Sequence, residues 1–339
     1  MKGSSSLRGR CPPAAVIIGW ISVVSMVVAC GEPPPRPLQP AASPPANTFA
    51  FGVVGDAPYQ RSEMPAFMRV LEDVNRSDVQ WLIHVGDIQW FPCTDSAYRE
   101  KLAAMNTIDR AVIYTPGDNE WTDCHRYKEG RYEPLDRLAS LRRIFFSRPT
   151  QSLGRKPIAL ESQAQDPAFA EFPENAQWMH GGFVFATIHV VGSGNASMPF
   201  RGRTAANDAE VVRRTRAAIV WLDSAFAKAR SMSAKGVVVA FHGDMHFENP
   251  AGEVGENRPY ASLVSRLRTN SAALGRPVLA IHGDSHIQRV DHPLVDSAGR
   301  AYANFTRLET FGAPQIGWVR VVVDTIAGNF LSYEPRRIK

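Results

Sequence analysis

Five short apolar segments of this chain each end in a polar motif that carries aspartate or histidine. The segments cover residues 49–55, 79–85, 111–115, 237–241 and 278–281. Helix-like stretches at 63–75, with Ser62 as the expected N-cap, and at 95–108 follow the first two segments. Strands that alternate with helices predict a parallel sheet packed between helices, so the residues alone predict an α/β fold.

The rest of the chain adds an irregular excursion, a long helix and a strand-rich tail. Residues 149–177 are polar and irregular, 183–191 is a strand candidate, and an amphipathic helix is predicted over 208–230. The apolar positions of this helix fall on one face: Val212, Ile219, Leu222 and Phe226. The tail has three strand candidates without helices between them, near 303–310, 316–324 and 329–333. We predict that these tail strands are antiparallel and complete a second sheet layer.

The amino terminus has the layout of a secretory signal. Three positive charges precede an apolar run that ends in small residues before Cys30, so residues 1–29 are predicted to be a signal peptide. Residues 27–30 resemble the bacterial lipobox, which predicts lipidation of Cys30. Residues 30–47 follow as a tether, and seven prolines between Gly31 and Ala46 indicate a stiff, solvated spacer. The alternative is an uncleaved single-pass anchor, although sixteen apolar residues fall short of the roughly 20 needed to span a bilayer.

These features predict an extracytoplasmic, membrane-anchored protein with one large domain at 48–339. Gly31 is not the aspartate linked to inner-membrane retention, so the outer membrane is favoured by resemblance to that sorting rule. Removing the signal lowers the formal charge from +5 to +2, because it deletes three positive residues and no negative ones. The basic balance is therefore partly a targeting feature, and no nucleic-acid partner is predicted.

Two of the four cysteines remain after the signal and lipobox are set aside. Cys93 and Cys124 each follow a Gly-Asp pair by six residues, which places both in loops on the same rim. In an oxidising compartment they are predicted to form a disulfide, and the alternative is two free or buried thiols.

Ligands bind to α/β sheets outside the carboxyl ends of the strands, where all the polar motifs of this chain lie. Residues far apart in the sequence are therefore expected to converge there. The candidate metal ligands are Asp56, Asp87, Asp118, His242, Asp284 and His286. Aspartate and histidine without thiolate are the ligand set of hydrolytic divalent sites.

In order and spacing, the motifs resemble the five blocks of the calcineurin-like metallophosphoesterase superfamily. They read Asp56-Ala57-Pro58, Gly86-Asp87, Gly117-Asp118-Asn119-Glu120, His242 and Gly283-Asp284-Ser285-His286. The resemblance implies a four-layer α/β/β/α sandwich, with mixed sheets inside and helices on the outer faces. It also implies two divalent ions: Asp87 would bridge them, Asp56 and His286 would hold the first, and Asp118, His242 and Asp284 the second.

The sequence departs from the family pattern at four of these positions. Pro58 stands where the family has its first histidine ligand, so the first site is expected to be one ligand short. Asp118 replaces an asparagine, Asp284 replaces a histidine, and Asn119 replaces the histidine credited with protonating the leaving group. Asn119 can still donate a hydrogen bond to a phosphoryl oxygen, which leaves His246, His125 and His180 as candidate proton donors.

The expected activity is hydrolysis of a phosphomonoester or phosphodiester by in-line attack of a metal-bridging hydroxide. Four aspartates would neutralise two divalent ions, so we expect slower or more alkaline hydrolysis than is usual for the family. Among Mn, Mg, Fe, Ca and Zn, we expect the harder ions Mn²⁺, Mg²⁺ or Ca²⁺ in preference to Zn²⁺. The alternative is a non-catalytic surface lipoprotein that keeps the fold, with or without one structural ion, and serves as a binding module.

Several further residues have two interpretations. His84 and His189 lie inside apolar strands and are expected in the core or behind the ligands, where His282 and Asp244 are further candidates. Four aromatic residues lie near the second and third blocks: Trp90, Phe91, Trp121 and Tyr127. They are expected either to form an aromatic wall that contacts the substrate or to pack in the ordinary way. Arg307 either reaches a phosphate or is an exposed surface arginine.

Overall fold

Two mixed β-sheets form the centre of the protein. The computed structural model describes residues 47–88, 92–248, 255–296 and 298–338, which fall within one compact unit, Pro40–Lys339. The strands are β1 Thr48–Val54, β2 Trp81–His84, β3 Ala111–Tyr114, β4 Glu161–Ser162, β5 Ala176–His180, β6 Phe183–Thr187, β7 Gly236–Ala240, β8 Val278–His282, β9 Arg289–Asp291, β10 Phe305–Glu309, β11 Gly317–Asp324 and β12 Asn329–Arg337. The longer helices are α1 Met64–Arg76, α2 Asp95–Met105, α3 Pro134–Phe145, α4 Ala205–Ser231 and α5 Ala261–Leu274.

The first sheet has the order β12-β11-β1-β2-β3 and the second has the order β4-β5-β6-β7-β8-β10-β9. Strands β1, β2 and β3 are parallel, as are β6, β7, β8 and β10. Both sheets also contain antiparallel strands at their edges. The parallel strands carry the polar motifs, so the motifs lie at the carboxyl end of each sheet.

Apolar side chains fill three layers between these elements. Alternate residues of β1 point to opposite sides: Phe51 and Val53 pack between the two sheets, whereas Ala50 and Val54 pack against helices. Helices α1, α2 and α3 cover the outer face of the first sheet, and α4 and α5 cover that of the second. This arrangement confirms the four-layer α/β/β/α fold.

Two helix features differ from the sequence prediction. A 3-10 turn, Arg61–Glu63, contains Ser62, and α1 starts after it, so the predicted N-cap at Ser62 is wrong. In α4, Val212 is 69% exposed rather than on the buried face. The reason is that the buried positions at this end of α4 are taken by Arg214 and Glu210, which form an ion pair.

The tail also differs from the prediction. Strand β10 lies in the second sheet as expected, but it is parallel to β8. Strands β11 and β12 extend the first sheet instead, because β11 pairs antiparallel with β1 and β12 with β11. The antiparallel pairing of β11 and β12 is therefore confirmed, whereas their predicted place in the second layer is wrong.

Most of the targeting region lies outside the described residues. The signal peptide, Cys30 and almost all of the tether fall in residues 1–46, so these features stay predictions. Within the described ranges, we find no helix that is both long enough and apolar enough to cross a bilayer.

Candidate metal centre

The structure brings the motif residues together at the carboxyl ends of both sheets. Among the described residues, two groups of three side chains could each hold a metal ion, because the donor atoms within each group all lie within 4.8 Å of one another. One group is Asp56, Asp87 and His242, and the other is Asp118, His242 and Asp284. Five of the six predicted ligands thus form two overlapping clusters, and His242 belongs to both.

His242 is the residue that the two groups have in common. Its Nδ1 lies 2.9 Å from the carbonyl oxygen of Val85, so an Nδ1–H donating to that oxygen leaves Nε2 free to face the carboxylates. Nε2 lies 3.0 Å from Oδ1 of Asp118, 3.4 Å from Oδ1 of Asp87 and 3.8 Å from Oδ1 of Asp284. In this tautomer Nε2 carries the lone pair, so it can bind a cation.

Backbone amides hold the carboxylates in place. The amide of Asp284 donates to Oδ1 of Asp56 at 2.9 Å, and that of Asn119 donates to Oδ1 of Asp87 at 3.1 Å. The amide of Asp244 donates to Oδ2 of Asp284 at 2.8 Å. Each motif thus positions a side chain of another motif, which makes the loops mutually dependent.

The backbone at the site adopts conformations that non-glycine residues rarely use. Four of the predicted ligands have positive φ angles: Asp56 at 53°, Asp87 at 56°, Asp284 at 75° and His286 at 62°. Residues in this region carry a conformational cost and concentrate at functional sites. A left-handed turn at Gly192–Ala196 adds Ser193, whose hydroxyl donates to Oδ2 of Asp118 at 3.0 Å.

One close approach requires glycine. A Cβ atom at Gly283 would lie 2.0 Å from Oδ2 of Asp56, nearer than any real contact allows. The fifth block therefore reaches the first only because position 283 has no side chain.

The carboxylates repel one another in the absence of a cation. Burial raises the pKa of Asp87 well above its ordinary value; His242 opposes this shift and Asp118 adds to it. Burial and the neighbouring Asp118 also raise the pKa of Asp284 to about 6. The pKa of Asp118 is instead about 2, because the hydrogen bond and charge of His242 outweigh burial. Burial lowers the pKa of His242, but Asp87 and Asp118 reverse this and raise it well above its ordinary value.

A cation fits this donor set. Carboxylate oxygens and an imidazole nitrogen, without thiolate, are the ligands of hard or borderline divalent ions. Burial is the main cause of the raised pKa values of Asp87 and Asp284, and the neighbouring Asp118 carboxylate adds to both shifts, so a cation among these groups would favour their ionised forms.

His286 lies beside the first group rather than inside it. Its Nε2 is 3.6 Å from Oδ1 of Asp56 and 3.0 Å from the hydroxyl of Tyr59. The Tyr59 hydroxyl also donates to Oδ2 of Asp87 at 2.7 Å. Tyr59 was not predicted from the sequence. The only feature that could have indicated it is its position directly after Pro58 in the first block.

The candidate proton donors are placed differently from one another. His180 ends β5 at the opposite end of the sheets, packed on Phe49 and Trp81, so its prediction as a site residue is wrong. His125 stacks on Phe200 at 4.3 Å and faces another cavity. His246 is the candidate that remains, because it lines a cavity of about 520 Å³ together with Asp284 and Ser193.

Among the described residues, Trp121 follows the packing alternative, and Arg307 matches neither of its two interpretations. Trp121 is buried and packs against Leu138 and Val191, whereas Tyr127 is 76% exposed. Trp90 and Phe91 lie outside the described residues. Arg307 is buried and paired with Asp291 and Glu248, so it is neither a surface arginine nor placed to bind a phosphate.

Other residues support the site from behind. His84 and His189 are buried, as predicted; the Nδ1 of His84 accepts from the amide of Gly86 at 3.2 Å, and His189 lies 2.7 Å from Glu174. His282 is also buried, with Nδ1 2.8 Å from the carbonyl oxygen of Gly283. The predicted disulfide between Cys93 and Cys124 is present. Its sulfur atoms lie 3.6 and 3.5 Å from the carbonyl oxygen of Asn119, so it braces the third block.

The four-layer fold and the Asp/His cluster at its strand ends agree with the metallophosphoesterase-like α/β fold that the sequence resemblance implies. No family model and no curated protein matches the sequence. Similar solved structures include a phosphatase from Mycoplasma pneumoniae, with 10% identity, 86% of this chain and 94% of that chain covered, and a TM-score of 0.40.

Two structures of the protein Vps29 are also similar. The one from Entamoeba histolytica has 12% identity, coverage of 86% of this chain and 100% of that one, and a TM-score of 0.29. The one from Cryptosporidium parvum has 13% identity, coverage of 86% and 98%, and a TM-score of 0.28. TM-scores below 0.5 do not identify a fold by themselves, so the fold class rests on the strand order, the layers and the site residues.

Proposed function

We propose that this protein is an exported, membrane-tethered, metal-dependent phosphoesterase that hydrolyses a phosphomonoester or phosphodiester. The observation that supports this proposal most directly is the pair of overlapping donor groups that share His242. Nε2 of His242 has one lone pair and can bind only one ion, but it lies 3.0 Å from Oδ1 of Asp118 and 3.4 Å from Oδ1 of Asp87. The two donor groups therefore adjoin each other and would hold two ions close together, which is the arrangement used for phosphoester displacement.

The residues would divide the work by position. Asp56, Asp87 and His286 would hold one ion, and Asp118, His242 and Asp284 the other. When bound, two such ions stabilise the charge that develops on phosphoryl oxygens and acidify bound water. The backbone amide of Asn119 donates to Asp87 and keeps it in place, and the half-buried Asn119 would donate a side-chain hydrogen bond to a phosphoryl oxygen.

The cavity beside Asp284 is the proposed substrate site. Its volume of about 520 Å³ is large enough for a small phosphoester, and its walls combine polar and apolar groups. Met198, Pro199 and Tyr260 supply apolar surface, and Ser193 and His246 supply hydrogen-bonding groups. We propose that His246, whose side chain is 42% exposed, protonates the leaving group.

The location outside the cytoplasm is supported by the disulfide and by the signal-like amino terminus. Disulfides persist in oxidising compartments and are rare in the cytosol. We propose lipidation at Cys30, with the outer membrane as the site of anchoring in a source with two membranes. Mass spectrometry of the amino-terminal peptide should then show an acylated Cys30 as the first residue, and an intact segment 1–29 would favour an uncleaved anchor.

Turnover by the full-length protein, purified in detergent, tests the enzymatic part. With Mn²⁺ or Mg²⁺ it should hydrolyse nitrophenyl phosphate or the bis-ester, and Asp87→Asn should abolish that activity. Asp136→Asn is the matched control, because Asp136 is exposed on α3, and it should keep full activity. A folded protein that binds metal but shows no turnover with any metal or at any pH would instead favour the non-catalytic binding module.

A further inference from the structure

We propose that the phenolic oxygen of Tyr59 is a protein ligand of the first metal ion. The family pattern implies a histidine at position 58, where this chain has proline, and Tyr59 follows immediately. This inference rests on the metal-binding part of the proposed function and is independent of turnover.

The distances from the Tyr59 oxygen to the other donor atoms indicate that this oxygen is a ligand of the ion and does not occupy the position of the ion itself. The hydroxyl of Tyr59 lies 2.7 Å from Oδ2 of Asp87, 3.0 Å from Nε2 of His286 and 3.4 Å from Oδ1 of Asp56. Ligands that sit about 2.0–2.2 Å from one ion lie about 3.0–3.5 Å from each other at the angles of octahedral and tetrahedral shells. An atom in the position of the ion would be near 2.1 Å from all three. All three observed distances are well above 2.1 Å, and those to His286 and Asp56 match the edges of a coordination shell. The 2.7 Å distance to Asp87 is that of a hydrogen bond, which a bound ion would replace.

The side chain is held in this position from both sides. The Tyr59 ring stacks on the His286 ring, with centroids 5.3 Å apart and planes 17° from parallel. The amide of Tyr59 donates to Oε2 of Glu63 at 2.6 Å, and the ammonium of Lys101 donates to the carbonyl oxygen of Pro58 at 3.1 Å. Ligands fixed in this way need little rearrangement to bind an ion.

His286 is oriented toward the same point. Its Nδ1 lies 2.9 Å from the carbonyl oxygen of Ala313, so a proton on Nδ1 leaves Nε2 to face Tyr59 and Asp56. Asp56, Asp87, His286 and Tyr59 then offer four donors to one ion. Tyr59 thus supplies the donor that Pro58 removes.

Binding replaces one bond by another at the phenolic oxygen. The metal–oxygen bond forms as the O–H bond breaks, and the proton passes to solvent. An anionic oxygen then stands where the family pattern has a neutral imidazole, which favours hard ions over Zn²⁺. The competing arrangement keeps the hydroxyl protonated and bonded to Asp87, with no bond to the ion.

Spectroscopy of the metal-loaded, full-length protein in detergent distinguishes these arrangements. Tyrosinate bound to ferric iron gives a charge-transfer band in the visible, so protein loaded with ferric iron should be coloured. Tyr59→Phe should remove the band, and Tyr127→Phe, which changes a tyrosine that is 76% exposed, should keep it. Tyr59→Phe should also weaken the binding of one of two Mn²⁺ ions at least about tenfold, the scale seen when groups around a metal are removed.

The outcomes separate the inference from the proposed function. If the wild type binds two ions but shows no tyrosinate band, or if Tyr59→Phe keeps the band and both affinities, only the assignment of Tyr59 is wrong. If the wild type binds no metal, both proposals are wrong. An unchanged melting temperature of metal-free Tyr59→Phe would show that the loss of the band is not a loss of fold.

Discussion

Nε2 of His242 lies 3.0 Å from Oδ1 of Asp118, although 124 residues separate them in the chain. His242 follows β7 in the second sheet, and Asp118 follows β3 in the first. The contact therefore closes the two sheets over one pocket at their carboxyl ends. Any ion in this pocket would bind both halves of the sandwich and stabilise the whole fold.

The stability of the metal-free protein should depend on pH through Asp284. Its pKa of about 6 in the fold exceeds the value of about 3.9 for an unfolded aspartate. The protonated form is the one that the fold favours, so this contribution is full below about pH 4 and is lost as the pH rises through about 6. Asp284→Asn removes this titration. The melting temperature of the variant minus that of the wild type should therefore increase between pH 4 and pH 7, and a constant or decreasing difference would contradict the prediction.

Gly283→Ala should disrupt the first metal site with only a limited loss of stability. The new methyl group would collide with the Asp56 carboxylate, and overpacking of this kind costs typically 1–3 kcal/mol. Metal titration should show at least about tenfold weaker binding. Gly275→Ala is the control, because Gly275 has open space around it and a φ of 62°, so alanine there costs stability of about 1 kcal/mol without touching the site. Equal metal binding by both variants would contradict the prediction.

Removal of the disulfide should destabilise the protein and loosen the third block. The bridge spans 31 residues, for which loop-closure entropy gives about 3–4 kcal/mol. We expect the double variant Cys93→Ala/Cys124→Ala to unfold at a lower urea concentration and to bind metal more weakly, because both sulfur atoms contact the Asn119 carbonyl. Identical urea midpoints for the variant and the oxidised wild type would refute the stabilising role.

Asn119→His should add a second proton donor to the site, beside His246. General acid catalysis contributes about 10²–10⁴-fold, and the gain is greatest for poor leaving groups. Hydrolysis of an alkyl phosphomonoester should therefore accelerate more than that of nitrophenyl phosphate, whose leaving group needs little protonation. Asn119→Gln should leave the ratio of the two hydrolysis rates unchanged. Equal effects on both substrates would show that position 119 does not face the leaving group.

The β–α alternation and the position of the motifs could be predicted from the sequence. Apolar runs that stop at Gly-Asp specify both a strand and the end at which its ligand lies, so Asp56, Asp87 and Asp118 converge as expected. The disulfide was predictable for the same reason, since its two cysteines follow two of these motifs at equal distances.

Strand partners and buried charges could not be predicted in this way. A strand that is buried along almost its whole length, such as β11, fits either sheet, because its pattern specifies two buried faces and not a neighbour. The burial of Arg307 depends on Asp291 and Glu248, which no local pattern connects to it. Helices α3 and α5 were also missed, since α3 begins at Pro134 in a polar stretch and α5 shows only a weak amphipathic pattern.

Tyr59 shows a different limit of the sequence. When the motifs are compared with the family pattern, they show only that proline stands at position 58 in place of a histidine. The replacement becomes visible once the chain path brings Tyr59 within 3.0 Å of Nε2 of His286, from the other end of the domain.

Counting metal ions by native mass spectrometry of the full-length protein in detergent tests the central claim most directly. We predict two Mn²⁺ ions per chain for the wild type and for Asp136→Asn, and one or none for Asp87→Asn, because Asp87 belongs to the first donor group and is the residue that the family resemblance assigns to both ions. A wild type that binds no ion, or an Asp87→Asn variant that binds two ions as tightly as the wild type, would contradict a shared two-ion site.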